Sequence, residues 1–231
     1  MYVRFQSEKT IYKYVGLGLL KVKNLDMRRK VRFRPRESKH ESLRIDRRFH
    51  IGRTFDDYLK YISDNPKYHV VEMDTVIGRI GGKCLLTLHF VTAYFMLAYI
   101  LEVCTTVAVK NAFASIRNVL GNELYSGLVP VLLGDRGSEF SDLRSIEFDE
   151  DGEWVSKVFY CDPQQSQQKG SLENNHLFIR YVIPKGTSMD TLTQQDISLM
   201  MNHINSYGRD ALSDRTPYHM FESLCGWIEY V

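Results

Sequence analysis

Cysteines are few, and none has a spacing typical of a zinc site. The 231-residue chain has four, Cys84, Cys104, Cys161 and Cys225, and no two of them form a C-x-x-C pair. No histidine cluster supplies further ligands, so a structural zinc site is not predicted. Three of the four lie in apolar stretches, which is typical of reduced, partly buried thiols in a cytosolic protein.

Long apolar runs are also lacking. The most apolar stretch, residues 84–109, carries His89 and Glu102 and contains turn signals. We therefore expect core strands there and no membrane span. Charged residues interrupt the first ten positions, which argues against a signal peptide. With 44% hydrophobic and 25% charged residues, the composition is that of an ordinary globular domain.

The net charge is only +2, but it conceals a strong asymmetry. Residues 1–53 hold 16 Lys and Arg against five Asp and Glu, whereas residues 54–231 hold 14 against 23. A basic arm on an acidic body predicts an anionic partner, with nucleic acid as the leading candidate. A solvated tail without a partner is the alternative. Six basic side chains of the arm are the candidate DNA contacts: Arg28, Arg29, Lys30, Arg32, Arg34 and Arg36.

The order of the predicted elements indicates an α/β domain. Strands are expected at residues 68–80, 83–92, 95–103, 128–133 and 155–161. Helices are expected at residues 7–20, 54–65, 105–120, 170–181 and 193–207, with a last one starting at Thr216-Pro217. Residues 139–153 are acidic and turn-like. Three strands joined by short turns and followed by crossovers predict a mixed sheet flanked by helices.

Three carboxylates do not fit this pattern as structural residues. Asp74 interrupts a predicted strand, where aspartate is depleted and a buried carboxylate needs a partner or a metal. Asp135 follows a buried strand, and ligand sites in α/β sheets lie at the carboxyl ends of strands. Glu173 lies in the first turns of a helix. Each of them alone has an ordinary explanation in an ion pair, a turn or the helix dipole, and Glu72 and Glu139 are competing carboxylates.

Taken together, the three carboxylates suit phosphodiester chemistry. Cleavage and transfer without a covalent enzyme intermediate require one activated oxygen and one stabilised leaving oxygen. Two Mg²⁺ ions about 3.5–4 Å apart provide both. Mg²⁺ prefers hard oxygen ligands, which a few carboxylates, water and substrate phosphate supply.

Three segments also carry the motifs of a known enzyme family. EMDTVIG (72–78), GDRGSEF (134–140) and CDPQQSQQKGSLENNHLFIRYVIPKGT (161–187) resemble bacterial insertion-sequence transposases of the IS-thirty type. These enzymes belong to the DDE transposase and retroviral-integrase superfamily. SEKTIYKYV near the start and NHINSYGRDALSDRTPYHMF (202–221) extend the resemblance over nearly the whole chain. The resemblance implies a ribonuclease-H-like fold in which Asp74, Asp135 and Glu173 are the catalytic and metal-binding residues.

The same resemblance implies an activity and its partners. We expect cleavage of DNA at the ends of a mobile element, followed by attack of the freed 3′-hydroxyl on target DNA. The expected cofactor is a pair of Mg²⁺ ions, for which Mn²⁺ can substitute. Asp74 is expected to bridge both ions, while Asp135 and Glu173 each complete one site. The expected protein acts as a homo-oligomer on DNA in the bacterial cytoplasm, without a membrane partner.

Basic residues near Glu173 are candidate DNA contacts as well. Arg180 lies seven residues further along the predicted helix and hence on the same face, where it could contact a phosphate. Lys169 and Lys185 flank the helix and could touch the DNA backbone. Ordinary surface charges are the alternative for these residues.

The resemblance predicts two regions with different roles. Residues 1–53 are expected to be the remnant of a helix-turn-helix region followed by a basic DNA-binding linker, and residues 54–231 an integrase-type catalytic domain. Relatives carry a fuller helix-turn-helix region and usually continue beyond the position of Val231, so the chain is expected to be shortened. The alternatives are a truncated, catalytically inactive DNA-binding remnant and a ribonuclease-H-like nuclease acting on another nucleic acid.

Overall fold

A computed structural model describes residues 7–22, 50–163 and 165–228, and the chain forms two compact units, residues 1–44 and 45–231. The first unit contains helix α1 (Glu8–Gly16), which Ser7 caps by accepting a hydrogen bond from the Thr10 amide. The helix ends earlier than expected, since Gly18 has a φ of 68° that a helix cannot contain.

The second unit is built on a five-stranded sheet. Its strands are β1 (Val70–Ile77), β2 (Cys84–Phe90), β3 (Phe95–Leu101), β4 (Val131–Gly134) and β5 (Lys157–Tyr160). They lie in the order β3-β2-β1-β4-β5. β1, β2 and β3 pair antiparallel, whereas β4 runs parallel to both β1 and β5. This arrangement confirms the expected ribonuclease-H-like fold class, an antiparallel three-strand meander extended by parallel strands.

Helices cover both faces of the sheet. They are α2 (Phe55–Asp64), α3 (Thr106–Leu120), α4 (Asn122–Leu128), α5 (Leu143–Glu147), α6 (Gly170–Val182), α7 (Gln194–Asn205) and α8 (Pro217–Ile228). α2 and α7 begin with capping boxes, in which Thr54 pairs with Asp57 and Thr193 with Asp196. Each box satisfies backbone N–H groups that the first helical turn leaves unbonded.

Alternation along β1 divides the core into two layers. Val71 and Met73 point to the face covered by α3, α4 and α8. Val76 points to the opposite face, where it packs with residues of α6 and α7 such as Ile179 and Ile197. On that same side, α2 covers the outer strands β4 and β5. β1 is therefore central, and both Glu72 and Asp74 lie on the α6 face.

Two short helices were missed by the sequence-based prediction. α4 ends at Leu128, so β4 begins only at Val131 and the expected strand start at residue 128 was wrong. α4 has no side-chain cap, because the residue before it is Gly121, and it contains Ser126 and Gly127, which favour helices weakly. α5 lies within the segment expected to be turn-like. Its five residues are too few to show a helical period.

The stretch of the basic arm nearest to α2 is part of the second unit. The Arg53 guanidinium bonds both carboxylate oxygens of Glu147, at 3.2 and 2.6 Å, and the Arg53 carbonyl accepts a hydrogen bond from the Tyr160 amide. The candidate DNA contacts of the arm, Arg28, Arg29, Lys30, Arg32, Arg34 and Arg36, lie outside the described residues. Their role, and the division of the chain at residues 53 and 54, stay predictions.

The apolar stretch at residues 84–109 forms β2, β3 and the start of α3, as expected. None of the helices within residues 7–22, 50–163 and 165–228 combines the length and the apolar composition that a membrane span requires. The four cysteines all lie in these ranges, and no disulfide joins them. Burial raises the pKa of Cys84 to about 12 and that of Cys161 to about 11, so both thiols are protonated at neutral pH.

Candidate active site

Two of the predicted carboxylates lie side by side on the central strands. β1 and β4 are parallel neighbours, and their register pairs Glu72 with Leu133. Asp74 follows Glu72 by two residues and Asp135 follows Leu133 by two residues, so both aspartates lie on the same face of the sheet as that pair. Asp135 directly follows the last residue of β4, Gly134. The sheet therefore brings these two carboxylates together at one position.

Asp74 is held by hydrogen bonds at both carboxylate oxygens. Its Oδ1 accepts a hydrogen bond from the Thr75 amide at 2.7 Å, and its Oδ2 lies 3.0 Å from Nζ of Lys169. The same ammonium donates to the Met73 carbonyl at 3.3 Å. About a quarter of the Asp74 side chain (24%) is exposed, whereas that of Lys169 is 6% exposed. Asp74 thus faces solvent with its geometry fixed by a buried cation.

Asp135 is the more buried of the two carboxylates. Its Oδ1 accepts the Gly137 amide at 2.9 Å. Burial raises the pKa of Asp135 and the charges of Asp74 and Glu139 add to this effect, while Lys169 and the Gly137 amide oppose it. Several carboxylates crowded at a buried position create a strong preference for a bound cation.

Gly137 lies in close contact with two carboxylates. A Cβ at this position would lie 2.6 Å from Oε2 of Glu139 and 3.0 Å from Oδ1 of Asp135. Both distances are shorter than ordinary van der Waals contact, so the D-x-G spacing of the motif has a steric reason here. A side chain at residue 137 would require the carboxylate of Glu139 to shift and would crowd that of Asp135.

The two competing carboxylates, Glu72 and Glu139, have different surroundings. Oε1 of Glu139 accepts hydrogen bonds from Thr75 Oγ1 at 2.9 Å and from the thiol of Cys104 at 3.6 Å. Thr75 alternates with Asp74 along β1, so Glu139 approaches the strand from the other face. Glu72 is 5% exposed and lies against His89 inside the sheet–α6 layer.

Helix α6 crosses the sheet on the face that carries Asp74. Glu173 is its fourth residue, but the side chain of Glu173 lies outside what the structure describes. Arg180, two turns further on, donates to the Ile77 carbonyl at 3.0 Å, at the end of β1. Lys185 is exposed in the turn after the helix. Lys169, a candidate DNA contact in the sequence, is buried and bonded to Asp74, so it is not the ordinary surface charge that was the alternative.

His176 and Thr87 join the helix to the strand that carries Asp74. Thr87 Oγ1 lies 2.9 Å from Nε2 of His176 and donates to the Asp74 carbonyl at 3.2 Å. Because the single hydroxyl proton goes to that carbonyl, Nε2 of His176 must carry the donated proton. Burial holds the pKa of His176 below its ordinary range, which keeps the ring neutral at pH 7. Sequence reasoning gave no role to His176 or Thr87, and only their spatial proximity reveals one.

The donor set of this position fits a hard divalent cation. Asp74 and Asp135 present oxygen ligands only, as Mg²⁺ prefers. Among the described side chains, no group of three or more His, Cys, Asp or Glu residues is arranged to hold a metal ion. Glu173, the expected third ligand, is not among these side chains.

Comparison with known proteins gives consistent relatives. No protein-family model matches the chain. It is 29% identical over 220 residues to the "Probable transposase for insertion-like sequence element IS1161" of Streptococcus salivarius, which covers 94% of the chain and 58% of that relative. It is 36% identical over 102 residues to the transposase InsI for insertion sequence element IS30A of Escherichia coli (strain K12), covering 43% of the chain and 25% of the relative.

A solved structure with similarity is the catalytic core domain of BIV integrase, at a TM-score of 0.47 and 20% identity, covering 71% of this chain and 99% of that one. The curated relatives that match over most of this chain are longer than it. The chain spans 58%, 62% and 64% of the length of three of them.

Proposed function

Since the chain belongs to the superfamily of DDE transposases and retroviral integrases, we propose that it is the catalytic part of a transposase that cleaves DNA and joins the cut end to target DNA. Asp74, Asp135 and Glu173 are its catalytic carboxylates. DNA at the element ends and at the target site is its substrate, and two copies act together because two ends must be joined.

The observation that supports this proposal most strongly is the pair Asp74 and Asp135 on adjacent parallel strands. Their position at the carboxyl end of β4, the burial of Asp135 and the raised pKa of its carboxyl group favour a cation-binding role over a structural one. The cation bonded to Asp74 is the ammonium of Lys169, and one ammonium does not offset the charges of two neighbouring carboxylates.

Asp74, Asp135 and Glu173 would hold two Mg²⁺ ions. When bound, the ions supply activation of the attacking oxygen and stabilisation of the leaving oxygen. The chain's own residues orient the ligands. The amides of Thr75 and Gly137 fix Oδ1 of Asp74 and Oδ1 of Asp135, and the ammonium of Lys169 holds Oδ2 of Asp74. Arg180 and Lys185 would contact DNA phosphates on either side.

Replacement of Asp74 by Asn tests this function. Purified protein is incubated with supercoiled plasmid and Mn²⁺ or Mg²⁺, and nicked and joined products are measured. We expect wild-type nicking that requires the metal, and a reduction on the order of 100-fold or more in Asp74→Asn, because one oxygen ligand and its charge are lost.

The matched control is Glu102→Gln, which removes a carboxylate with a 78% exposed side chain that pairs with Lys83. This variant should nick at the wild-type rate. Equal nicking by wild type and Asp74→Asn would contradict the proposal. Plasmid binding by both proteins without nicking by either would favour the DNA-binding remnant.

A further inference from the structure

Three polar side chains form a buried chain between the sheet and α6. Glu72 on β1 is 5% exposed, His89 on β2 is fully buried, and Asn175 on α6 is 3% exposed. The cross-strand register places Glu72 directly opposite His89. Burying three polar groups costs free energy unless they bond one another, so their presence in an otherwise apolar layer needs a reason.

The geometry fixes which atoms donate. Nδ2 of Asn175 lies 2.6 Å from Nε2 of His89, and Nδ1 of His89 lies 3.4 Å from Oε2 of Glu72. An amide nitrogen can only donate, so Nε2 accepts and the ring proton is on Nδ1, facing Glu72. Asn175 therefore donates to His89, and His89 donates to Glu72. The two hydrogen bonds run from α6 to β2 and from β2 to β1.

The chain lies beside the proposed active site but does not enter it. Asn175 is two residues after Glu173 on α6, and Glu72 is two residues before Asp74 on β1. Two residues from His89 along β2, Thr87 lies opposite Asp74 and bonds His176. Asn175 of α6 is thus bonded to His89 of β2. The next residue, His176, is bonded to Thr87 of the same strand, which pairs with β1.

Apolar contacts alone would not fix the helix in this way. Ile179 in the second half of α6 and Ile183 directly after the helix pack against the sheet. Apolar packing tolerates small sliding and rotation better than directional hydrogen bonds do. The first half of α6, which carries Glu173, has its polar anchors at Asn175 and His176 instead.

We propose that Glu72, His89 and Asn175 are positioning residues, which set the height and rotation of α6 on the sheet so that Glu173 meets the metal ions held by Asp74 and Asp135. This inference rests on the proposed function. His89 bonds Glu72, which lies two residues before Asp74. It also bonds Asn175, which lies two residues after Glu173. His89 itself would contact neither the metal ions nor the DNA.

The test measures Mn²⁺ affinity of the full chain by isothermal titration calorimetry, together with plasmid nicking and urea unfolding. In Asn175→Ala we expect Mn²⁺ binding to weaken roughly tenfold, as for the loss of groups that orient metal ligands. The Mn²⁺ concentration needed for half-maximal nicking should rise by the same factor. His89→Leu should behave alike. His89→Gln, whose amide oxygen can accept from Asn175, should stay near wild type.

Asn205→Ala is the matched control. Asn205 is likewise a buried helical asparagine bonded to the sheet, through both Met96 backbone groups, but it lies on α7. Its loss should lower the urea midpoint without changing Mn²⁺ affinity. An equal loss of Mn²⁺ affinity in Asn205→Ala and Asn175→Ala would show that general destabilisation is responsible, and would overturn the inference.

Unchanged Mn²⁺ affinity in Asn175→Ala would also overturn the inference. The proposed function would still stand in that case if the wild-type protein nicks plasmid and this nicking depends on Asp74. Wild-type protein that neither binds Mn²⁺ nor nicks would overturn both. The two failures are therefore distinguished by the wild-type sample.

Discussion

Lys169 illustrates how one buried residue shapes the proposed site. Its ammonium bonds Oδ2 of Asp74 at 3.0 Å and is among the charges that act on Asp135. An ammonium next to a metal ligand repels a divalent ion but also offsets the mutual repulsion of the carboxylates. Lys169 therefore acts on the charges of both predicted carboxylates, while its contact with DNA stays a prediction.

Substituting Lys169 by Met should strengthen metal binding. Removing the cation 3.0 Å from Asp74 should lower the Mn²⁺ dissociation constant about tenfold, which corresponds to about 1.4 kcal/mol of relieved repulsion. Calorimetric titration measures it, with Lys185→Met as the control, because Lys185 is an exposed lysine beyond the same helix. Weaker Mn²⁺ binding in Lys169→Met would show that the ammonium supports the metal site.

Single residues of the site differ in how far sequence could predict them. Asp74 stands out because aspartate is depleted within strands, and Asp135 stands out because ligand sites in α/β sheets lie at the carboxyl ends of strands. His89 and Thr87 carry no such signal, since a polar residue in an apolar strand is often solvent-facing. Their roles depend on cross-strand neighbours and on α6, which are distant in sequence.

At the scale of the elements, helix caps and the alternation of apolar and polar residues in strands were the features of the sequence that predicted most. The helices predicted at residues 54–65, 105–120 and 193–207 have Thr54, Thr105 and Thr193 as their caps, and each of these threonines accepts a hydrogen bond from a backbone N–H. The three antiparallel strands were equally clear. α4 and α5 were missed because their stability comes from tertiary contacts, such as those of the buried Tyr125, and not from local propensity.

The attachment of Arg53 to Glu147 predicts an element-scale effect. Glu147 ends α5, its side chain is 1% exposed, and its Oε1 also accepts the Val158 amide of β5 at 3.0 Å. Arg53→Met leaves a buried carboxylate without its cation. We expect a loss of about 2 kcal/mol in the free energy of unfolding, below the usual cost of breaking a buried pair because Arg53 is partly exposed.

Urea unfolding followed by circular dichroism measures this loss. Arg144→Met, an exposed arginine on α5, should change the free energy of unfolding by less than about 0.5 kcal/mol. A similar value for both variants would mean that Arg53 is not an integral part of the folded unit, and would favour a boundary between linker and domain after residue 53.

At the scale of the whole molecule, the sequence predicted the class of the sheet best, as an antiparallel three-strand meander extended by parallel strands. Two antiparallel hairpins followed by crossovers leave few ways to order the sheet, because parallel neighbours require a connecting helix. The faces on which the helices lie then follow from alternation in β1. The charge asymmetry is a property of the same scale, and the DNA-binding role of residues 1–53 stays a prediction.

The central claim, that Asp74, Asp135 and Glu173 form the catalytic set, is tested most directly by comparing Glu173→Gln with Glu139→Gln. Glu139 is the nearby carboxylate whose charge acts on Asp135, so it is the strongest competitor for the third position. Both variants are incubated with supercoiled plasmid and Mn²⁺, and the nicking rates are measured. The account predicts a loss on the order of 100-fold or more in Glu173→Gln and near wild-type nicking in Glu139→Gln. Loss of nicking in Glu139→Gln with a wild-type rate in Glu173→Gln would contradict it.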